Sequence, residues 1–561
     1  MVIPILKLQP IMANRIILIL FFFSIFFADS FCQSNNVFRI HFTDKNNSPY
    51  SVLQPQDFLS SKAIDRRNRY SIGIDERDLP INEVYFDSIL NYPGVELLAK
   101  SRWFNCITVA GDSVMLNDIL TYSFVKNIDR IKIPEKNIPS NKLNVETQKR
   151  FVFDSENYYG AAFDQIEMHR GHLLHNDGFN GEGMTIAVLD AGFPFVNAMP
   201  AFSKLFSDNR VLGTYNFVKD TVDVYTNTNG HGSLVLSCMG TELPYEHVGT
   251  SPMANYYFFI TEDADSEMPI EEDNWVEAAE YADSAGVDLI NTSLGYTRFD
   301  DATLNYTYAD MDGNTTFISR GADVAASKGI LVVVSAGNSG TDTWFHIGAP
   351  GDADSVMTVG AVGSDRLYAS YSSKGPSSDG DVKPNIAAQG YLSAVVWPGG
   401  NVTLGSGTSF SSPIACGLAA CLWQAHPDKN NMQIINAIQV SSSHFSVADS
   451  LTGYGIPDFY FAHQLLTGIN EDHSSFFVEN IFPNPFSTEA YIDVFAGNNS
   501  QIEITIYSVS GQLIAENSVT LKAEMKNRIE ITRDFEKVSS GIYFIEIKLE
   551  EEILRHKVMK W

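Results

Sequence analysis

Residues 405–413, GSGTSFSSP, set a run of hydroxyl side chains at the entrance of an apolar stretch of helical character, IACGLAACLWQ. A helix start leaves its first N–H groups unpaired and carries partial positive charge. Ser409 there is either a cap or a nucleophile beside an anion site. A nucleophilic serine needs a base, an acid to orient the base, and a second donor for an oxyanion. Three segments offer such residues at the ends of apolar runs. MTIAVLDAGF sets Asp190 directly after a strand, with Gly192 to turn the chain; NTNGHGSLVLSCMG sets His231 between two glycines at a helix start; ILVVVSAGNSG sets Asn338 on a Gly-rich turn. Each alone has a plainer explanation: Asp190 and His231 as caps or surface groups, Asn338 as a turn residue tolerant of unusual backbone angles. Together they make a constellation for acyl transfer.

The elements around them must bring four distant segments together. MTIAVLD, NYYFFIT, VDLINTSLG, ILVVVSAGN and VMTVGAV are nearly continuous apolar runs, the mark of a parallel sheet covered on both faces. Helical stretches between them, NWVEAAEYADSAG and NTTFISRGADVAASKG, each end at Gly. The pattern predicts an α/β fold, a doubly wound, mostly parallel sheet over residues 158–466, with functional groups at the carboxyl ends of its strands. Residues 33–133 alternate short strands and helices and form an α+β unit. A polar linker with a processing site follows at 134–157. After a second linker at 467–476, Ile502, Ile504 and Ile506 alternate with polar residues, as do Ile545, Ile547 and Leu549. Residues 477–561 are therefore an all-β, sandwich-like module without a catalytic cluster.

The chain has 561 residues, enough for three or four domains, and 38 Lys plus Arg against 67 Asp plus Glu. A net charge of -29 without a basic block points away from nucleic acid and anionic membranes as partners. Residues 1–32 have the layout of a secretory signal: Arg15, an apolar run at 16–27 broken by Ser24, then Ser30 and Cys32 before a cut at Gln33. No other segment is long and apolar enough to span a bilayer. Cys106, Cys238, Cys416 and Cys421 remain and read as buried thiols. His169, His172 and His175 are spaced by three but lack an H-E-x-x-H, and YADMDGNT at 308–315 is a weak calcium candidate. No metal ligand is assigned, and no cofactor is required for the chemistry.

Asp190 in VLDAGF, His231 in GHGS, Asn338 in SAGNSG and Ser409 in GTSFSSP resemble, in this order, the functional segments of subtilisin-like serine peptidases. SLG at 293–295 and KPNIAAQG at 383–390 resemble further segments of that family. The resemblance implies a secreted serine endopeptidase with Asp190, His231 and Ser409 as its triad, an acyl-enzyme intermediate, and Asn338 as oxyanion donor. Substrate would add as a strand along Ser293, Leu294 and Gly295, while Gly295, Gly337 and Gly348 leave room for an apolar or aromatic side chain before the cut. Ala191, Ser233, Leu234, Asn385 and Gln389 depart from the usual family residues, but none of them is a reacting group. The N-terminal unit resembles a subtilisin-type propeptide. IFPNPF at 481–486, IYSVSGQLI at 506–514 and SSGIYFIEI at 539–547 resemble the sorting domain of type IX secretion. The implied partners are protein or peptide substrates, the chain's own propeptide and the type IX machinery, with no transmembrane segment in the mature protein and a secreted or surface-attached location. The alternative is a catalytically silent subtilisin-like protein that binds peptides or acts as an adhesin.

Overall fold

The structure, a computed structural model, describes residues 36–113, 115–132, 147–148, 157–226, 229–467, 476–482, 484, 486–496, 499–509, 511–522, 525–535, 538–549 and 552–560. The expected signal, Cys32 and most of both linkers lie outside these residues. The N-terminal unit runs β1 (Asn36–Phe42), α1 (Ser61–Arg69), α2 (Glu83–Leu90), β2 (Glu96–Ser101), β3 (Cys106–Gly111) and β4 (Val125–Lys132). Its strands form an antiparallel sheet in the order β2-β3-β1-β4. Alternation along β1 sorts its side chains. Phe38, Ile40 and Phe42 join Ile89, Ile107 and Val109 in the core of the unit, while Arg39 leaves by the other face.

Next come β5 (Thr147–Gln148), β6 (Thr185–Asp190), β7 (Val211–Asn216), α3 (His231–Gly240), β8 (Asn255–Ile260), α4 (Ile270–Ala285), β9 (Leu289–Thr292) and α5 (Phe317–Ser327). They are followed by β10 (Leu331–Ser335), β11 (Met357–Val362), β12 (Ile386–Gln389), β13 (Ser393–Val396), β14 (Val402–Gly405) and α6 (Thr408–Ala425). A parallel sheet runs in the order β12-β11-β10-β9-β6-β8-β7. Both faces of β6 are buried, which explains its unbroken apolar sequence. Ile186 and Val188 pack with Leu234, Phe410, Ile414 and Leu418 on one side; Ala187 and Leu189 pack with Trp275, Val276, Ala279 and Ile318 on the other. Helix α4 stops at Gly286, whose φ of 83° is the left-handed cap that glycine adopts without steric cost. Strand order reverses beside β6, so the crevice at the carboxyl ends of β6 and β9 is where an α/β sheet places its ligands. Outside the sheet, β13 and β14 form a hairpin, and β5 adds antiparallel to β14 through Thr147 opposite Gly405 and Gln148 opposite Leu404.

The N-terminal unit docks on α4 through buried ion pairs. Arg39 donates to Asp273 at 2.8 Å and 2.5 Å, and Thr108 donates to the same carboxylate at 2.6 Å. Glu280 accepts from Ser101 Oγ and from the backbone N–H groups of Arg102 and Trp103. Asp283 accepts from Arg66, Arg67 and Arg102 at 2.5, 2.8 and 3.1 Å. Burial opposes its charge, yet the three guanidiniums outweigh burial and hold its carboxyl below the ordinary range. Removing this acid leaves Arg66 with backbone carbonyls alone and Arg67 with Asp78 as its one remaining carboxylate, both charges still buried in the interface. In the full chain, Asp283→Ala should therefore cost about 3–5 kcal/mol, read as a fall in the unfolding midpoint. A loss below about 1 kcal/mol, the size of a surface pair, would refute the role given to this network.

The C-terminal module consists of β15 (Phe476–Phe482), β16 (Tyr491–Ala496), β17 (Ser500–Ser508), β18 (Leu513–Leu521), β19 (Met525–Glu530), β20 (Gly541–Leu549) and β21 (Glu552–Lys560). They pair as two antiparallel sheets, β15-β16-β19 and β18-β17-β20-β21. Ile502, Ile504, Ile506, Ile545, Ile547 and Leu549, expected inside from their alternation, share one core with Ile492 and Val494. Cys106, Cys238, Cys416 and Cys421 are buried free thiols. Among the described residues no helix is long and apolar enough to cross a membrane.

Candidate active site

Asp190 closes β6, and its fully buried Oδ1 accepts from His231 Nδ1 at 2.8 Å and from Ala191 N at 2.7 Å. Oδ2 is buried without a hydrogen-bond partner among the described residues, beside an alanine that has no hydroxyl to offer. His231 is the first residue of α3, and its backbone N–H donates to Asn229 Oδ1. Glycine is needed after it because a Cβ at position 232 would lie 2.6 Å from Gly192 O and 3.0 Å from Asp190 Cβ. That close approach lets the helix start reach the acid. Burial disfavours the His231 imidazolium, but the charge and hydrogen bond of Asp190, with a further contribution from the Glu262 charge, raise its pKa above the ordinary histidine value.

Ser409 is the second residue of α6, inside the helix, and the cap position before it is Gly407, which has no side chain. The capping role that sequence allows for this serine is therefore not the one it plays. The neighbouring hydroxyls are occupied: Ser411 Oγ donates to Thr408 O, and Ser293 Oγ donates to Ser409 O at 3.0 Å and lies 3.0 Å from Ser412 Oγ. Ser409 and His231 line one cleft of about 280 Å³. Among the described residues no hydrogen bond joins His231 Nε2 to Ser409 Oγ, a contact that commonly tightens only when substrate is bound.

Asn338 follows β10. Its Oδ1 accepts from Thr408 N at 2.9 Å and Thr408 Oγ1 at 3.0 Å, and Thr408 Oγ1 also accepts from Gly337 N. These bonds fix the amide so that Nδ2 turns away from Thr408 N. The position a Cβ of Gly407 would take lies 3.6 Å from Asn338 Nδ2 and 3.7 Å from Ser409 N. A gap between two donors at a helix start is suited to an oxyanion. Thr408, adjacent to the serine in sequence, shows its part only in the fold.

Ser293, Leu294, Gly295, Gly337 and Gly348 all line the cleft. The glycines differ in what they do. A Cβ at Gly295 would approach nothing closer than Ala349 O at 3.6 Å, leaving room for a ligand. Gly348 is required by packing, with Thr297 Cγ2 2.6 Å from its would-be Cβ, and Gly337 has a φ of 93°. Thr297, Trp344, His346 and Ser373 also line the cleft, as does Glu262, whose carboxylate accepts from Tyr296 Oη at 2.5 Å. Glu262 stands just beyond the carboxyl end of β8, so the same strand-end rule that finds Asp190 points to it.

The weaker sequence candidates have local jobs. Asp310 accepts from Thr307, and Asp312 accepts from the N–H groups of Asn314 and Thr315, so both carboxylates serve their own turns. His169 donates to Pro457 O, while His175 binds Thr250 O and Tyr159 Oη. Burial pushes both imidazoles down to about 4.

Residues 181–455 match the model of the Subtilase family of peptidase S8. The chain belongs to the subtilase family. Residues 37–149 of this subtilase match the peptidase S8 propeptide domain of Bacteroidota, and residues 480–560 match the secretion system C-terminal sorting domain. The sorting domain marks a secreted or surface-attached protein. The subtilase is 27% identical to subtilisin amylosacchariticus of Bacillus subtilis subsp. amylosacchariticus over 284 residues, 50% of this chain and 65% of that protein. It is 28% identical to subtilisin DY of Bacillus licheniformis over 290 residues, 51% of this chain and 92% of that one. The chain thus spans 65% of the length of the first of these relatives. The crystal structure of MycP1 from the ESX-1 type VII secretion system matches with a TM-score of 0.43 and 20% identity, over 61% of this chain and 95% of that one.

Proposed function

We propose that this subtilase is a secreted serine endopeptidase that cuts peptide bonds in proteins by way of an acyl-enzyme. The observation that carries the reading is the buried Asp190–His231 hydrogen bond in the cleft that also holds Ser409. Ser409 Oγ attacks the peptide carbonyl while His231 Nε2 takes its proton and later returns it to the leaving amine. Asp190 holds the proton on Nδ1 and stabilises the imidazolium. The tetrahedral oxyanion lies between Asn338 Nδ2 and Ser409 N. Water then repeats the sequence on the acyl-enzyme, with His231 again as base. The nucleophile, the base and the acid that orients it are all side chains of this chain and the second nucleophile is water, so the chemistry asks for no cofactor.

Substrate is an extended polypeptide pairing with the edge at Ser293, Leu294 and Gly295, its side chain before the cut entering the space at Gly295. Residues 33–133 act as the propeptide, holding α4 through the Arg39, Arg66, Arg67 and Arg102 contacts until they are removed. The C-terminal module is the address read by the type IX machinery.

The oxyanion assignment is tested by Asn338→Ala. Loss of a donor that acts mainly on the transition state should lower kcat on casein-derived peptides by about a hundred- to a thousandfold, with KM nearly unchanged. An unchanged kcat would remove Asn338 from the site.

A further inference from the structure

Two turns close onto the first turn of α3, and each carries an exposed aromatic side chain. Phe195, 59% exposed, lies in the turn after Asp190; Trp397, 41% exposed, lies in the turn joining β13 to β14. The first turn is tied down by Pro194 O, which accepts from Ser233 Oγ at 3.1 Å. It also comes so close to Gly232 that a Cβ there would meet Gly192 O at 2.6 Å. The second turn presses on Gly230, where a Cβ would meet Pro398 Cγ at 2.6 Å. His231 thus sits between two glycines, each covered by one of the aromatic-bearing turns.

Neither side chain is placed there for the sake of the core. Phe195 has a φ of 61°, a backbone conformation costly for a bulky residue and one that burial of its ring does not offset. Strained residues of this kind gather at ligand clamps and active sites. Trp397 is fixed by its N–H to Asn401 O at 2.9 Å and by Gly400 N to its own carbonyl at 2.8 Å, in a tight turn that presents the ring outward.

The fold also gives a polarity to a strand paired with β14. Strand β14 leads through Gly407 into Ser409, and its edge away from β13 pairs with another stretch of polypeptide, β5. Thr147 faces Gly405 and Gln148 faces Leu404, so β5 runs antiparallel to β14, its carboxyl direction leading away from Ser409 and towards the turn that carries Trp397. A substrate strand with that polarity presents the residues that follow its scissile bond, those that depart with the leaving amine.

On the endopeptidase reading, we propose that Phe195 and Trp397 are specificity-determining residues for the leaving-group side, receiving bulky apolar or aromatic side chains of a substrate strand added to β14. Aromatic rings offer such side chains large contact at low entropic cost.

The test compares substrates that share one acyl peptide: a nitroanilide, whose leaving group has no amino acid, and quenched peptides extended by six residues beyond the cut, made in pairs that carry Phe or Gly at each of the successive positions in turn. In the wild type, kcat/KM for the best Phe peptide should exceed that for its Gly counterpart by about tenfold or more. Referred to each variant's own anilide rate, Phe195→Ala and Trp397→Ala should bring that ratio towards one. Phe195→Gly, which removes the ring and relieves the backbone strain together, keeps the test open should Phe195→Ala fold poorly. No Phe preference in the wild type, or the full preference kept in the variants, would overturn the assignment. A wild type that cleaves neither anilide nor peptide would overturn the endopeptidase reading, and this assignment with it.

Discussion

Ser409→Ala is expected to lower kcat by about a million-fold, the loss that a subtilisin-type triad itself shows when its nucleophile or base is removed. Nucleophile and base act as one unit, so little chemistry survives the loss of either, and the remaining rate reflects the oxyanion donors and binding. The same substitution reports on processing. If the cut that frees residues 33–133 is made by Ser409, the variant should be secreted with that unit still attached, and intact mass will show it. Loss of residues 477–561, the work of a separate sorting apparatus, should continue in the variant when the host has type IX secretion. Normal loss of the N-terminal unit from the variant would reject self-processing. Retention of 477–561 in both proteins would make the β module a permanent domain.

Asp190→Asn should be the next most damaging change, costing about ten-thousandfold in kcat, because an amide at this position favours the wrong tautomer of His231. It carries a second signature. The base works only when neutral, and Asp190 raises the wild-type pKa of His231 above the ordinary histidine value. Activity of the wild type should therefore fall as pH drops through a range above that of an ordinary histidine. The neutral amide lacks the negative charge that helps the imidazolium outweigh burial, so the residual activity should lose its acid limb at lower pH than the wild type. A pH profile of kcat/KM on both proteins decides this. A limb that does not move would mean that the Asp190–His231 bond is not what tunes the base.

The reacting groups were legible because each sits at the end of an apolar run or at the start of one. In a parallel sheet with both faces covered, the strand runs have carboxyl ends that converge, so Asp190 and Asn338 approach the helix starts that carry His231 and Ser409. What the sequence hid depends on contacts between distant residues or on backbone shape. The grip of Thr408 on Asn338 spans 70 positions, and the Asp273 and Asp283 ion pairs join α4 to residues more than 160 positions away. Gly295, Gly337 and Gly348 look alike in sequence, yet of these three only Gly295 leaves free space, since Gly348 is pressed by Thr297 and Gly337 is needed for its backbone. Ser293 suggested a substrate edge; its side chain also braces the first turn of α6. The strain at Phe195 has no sequence signal beyond a bulky residue near a turn, where its positive φ could not be foreseen.

Labelling by an active-site serine phosphonate on the processed, folded protein, followed by peptide mapping, tests Ser409 as the nucleophile. One adduct is expected, on Ser409, absent from Ser409→Ala and accompanied by loss of casein cleavage in proportion to labelling. A folded, processed protein that takes no label and never cuts casein would contradict that role and leave a subtilisin-like scaffold that binds peptides without cutting them.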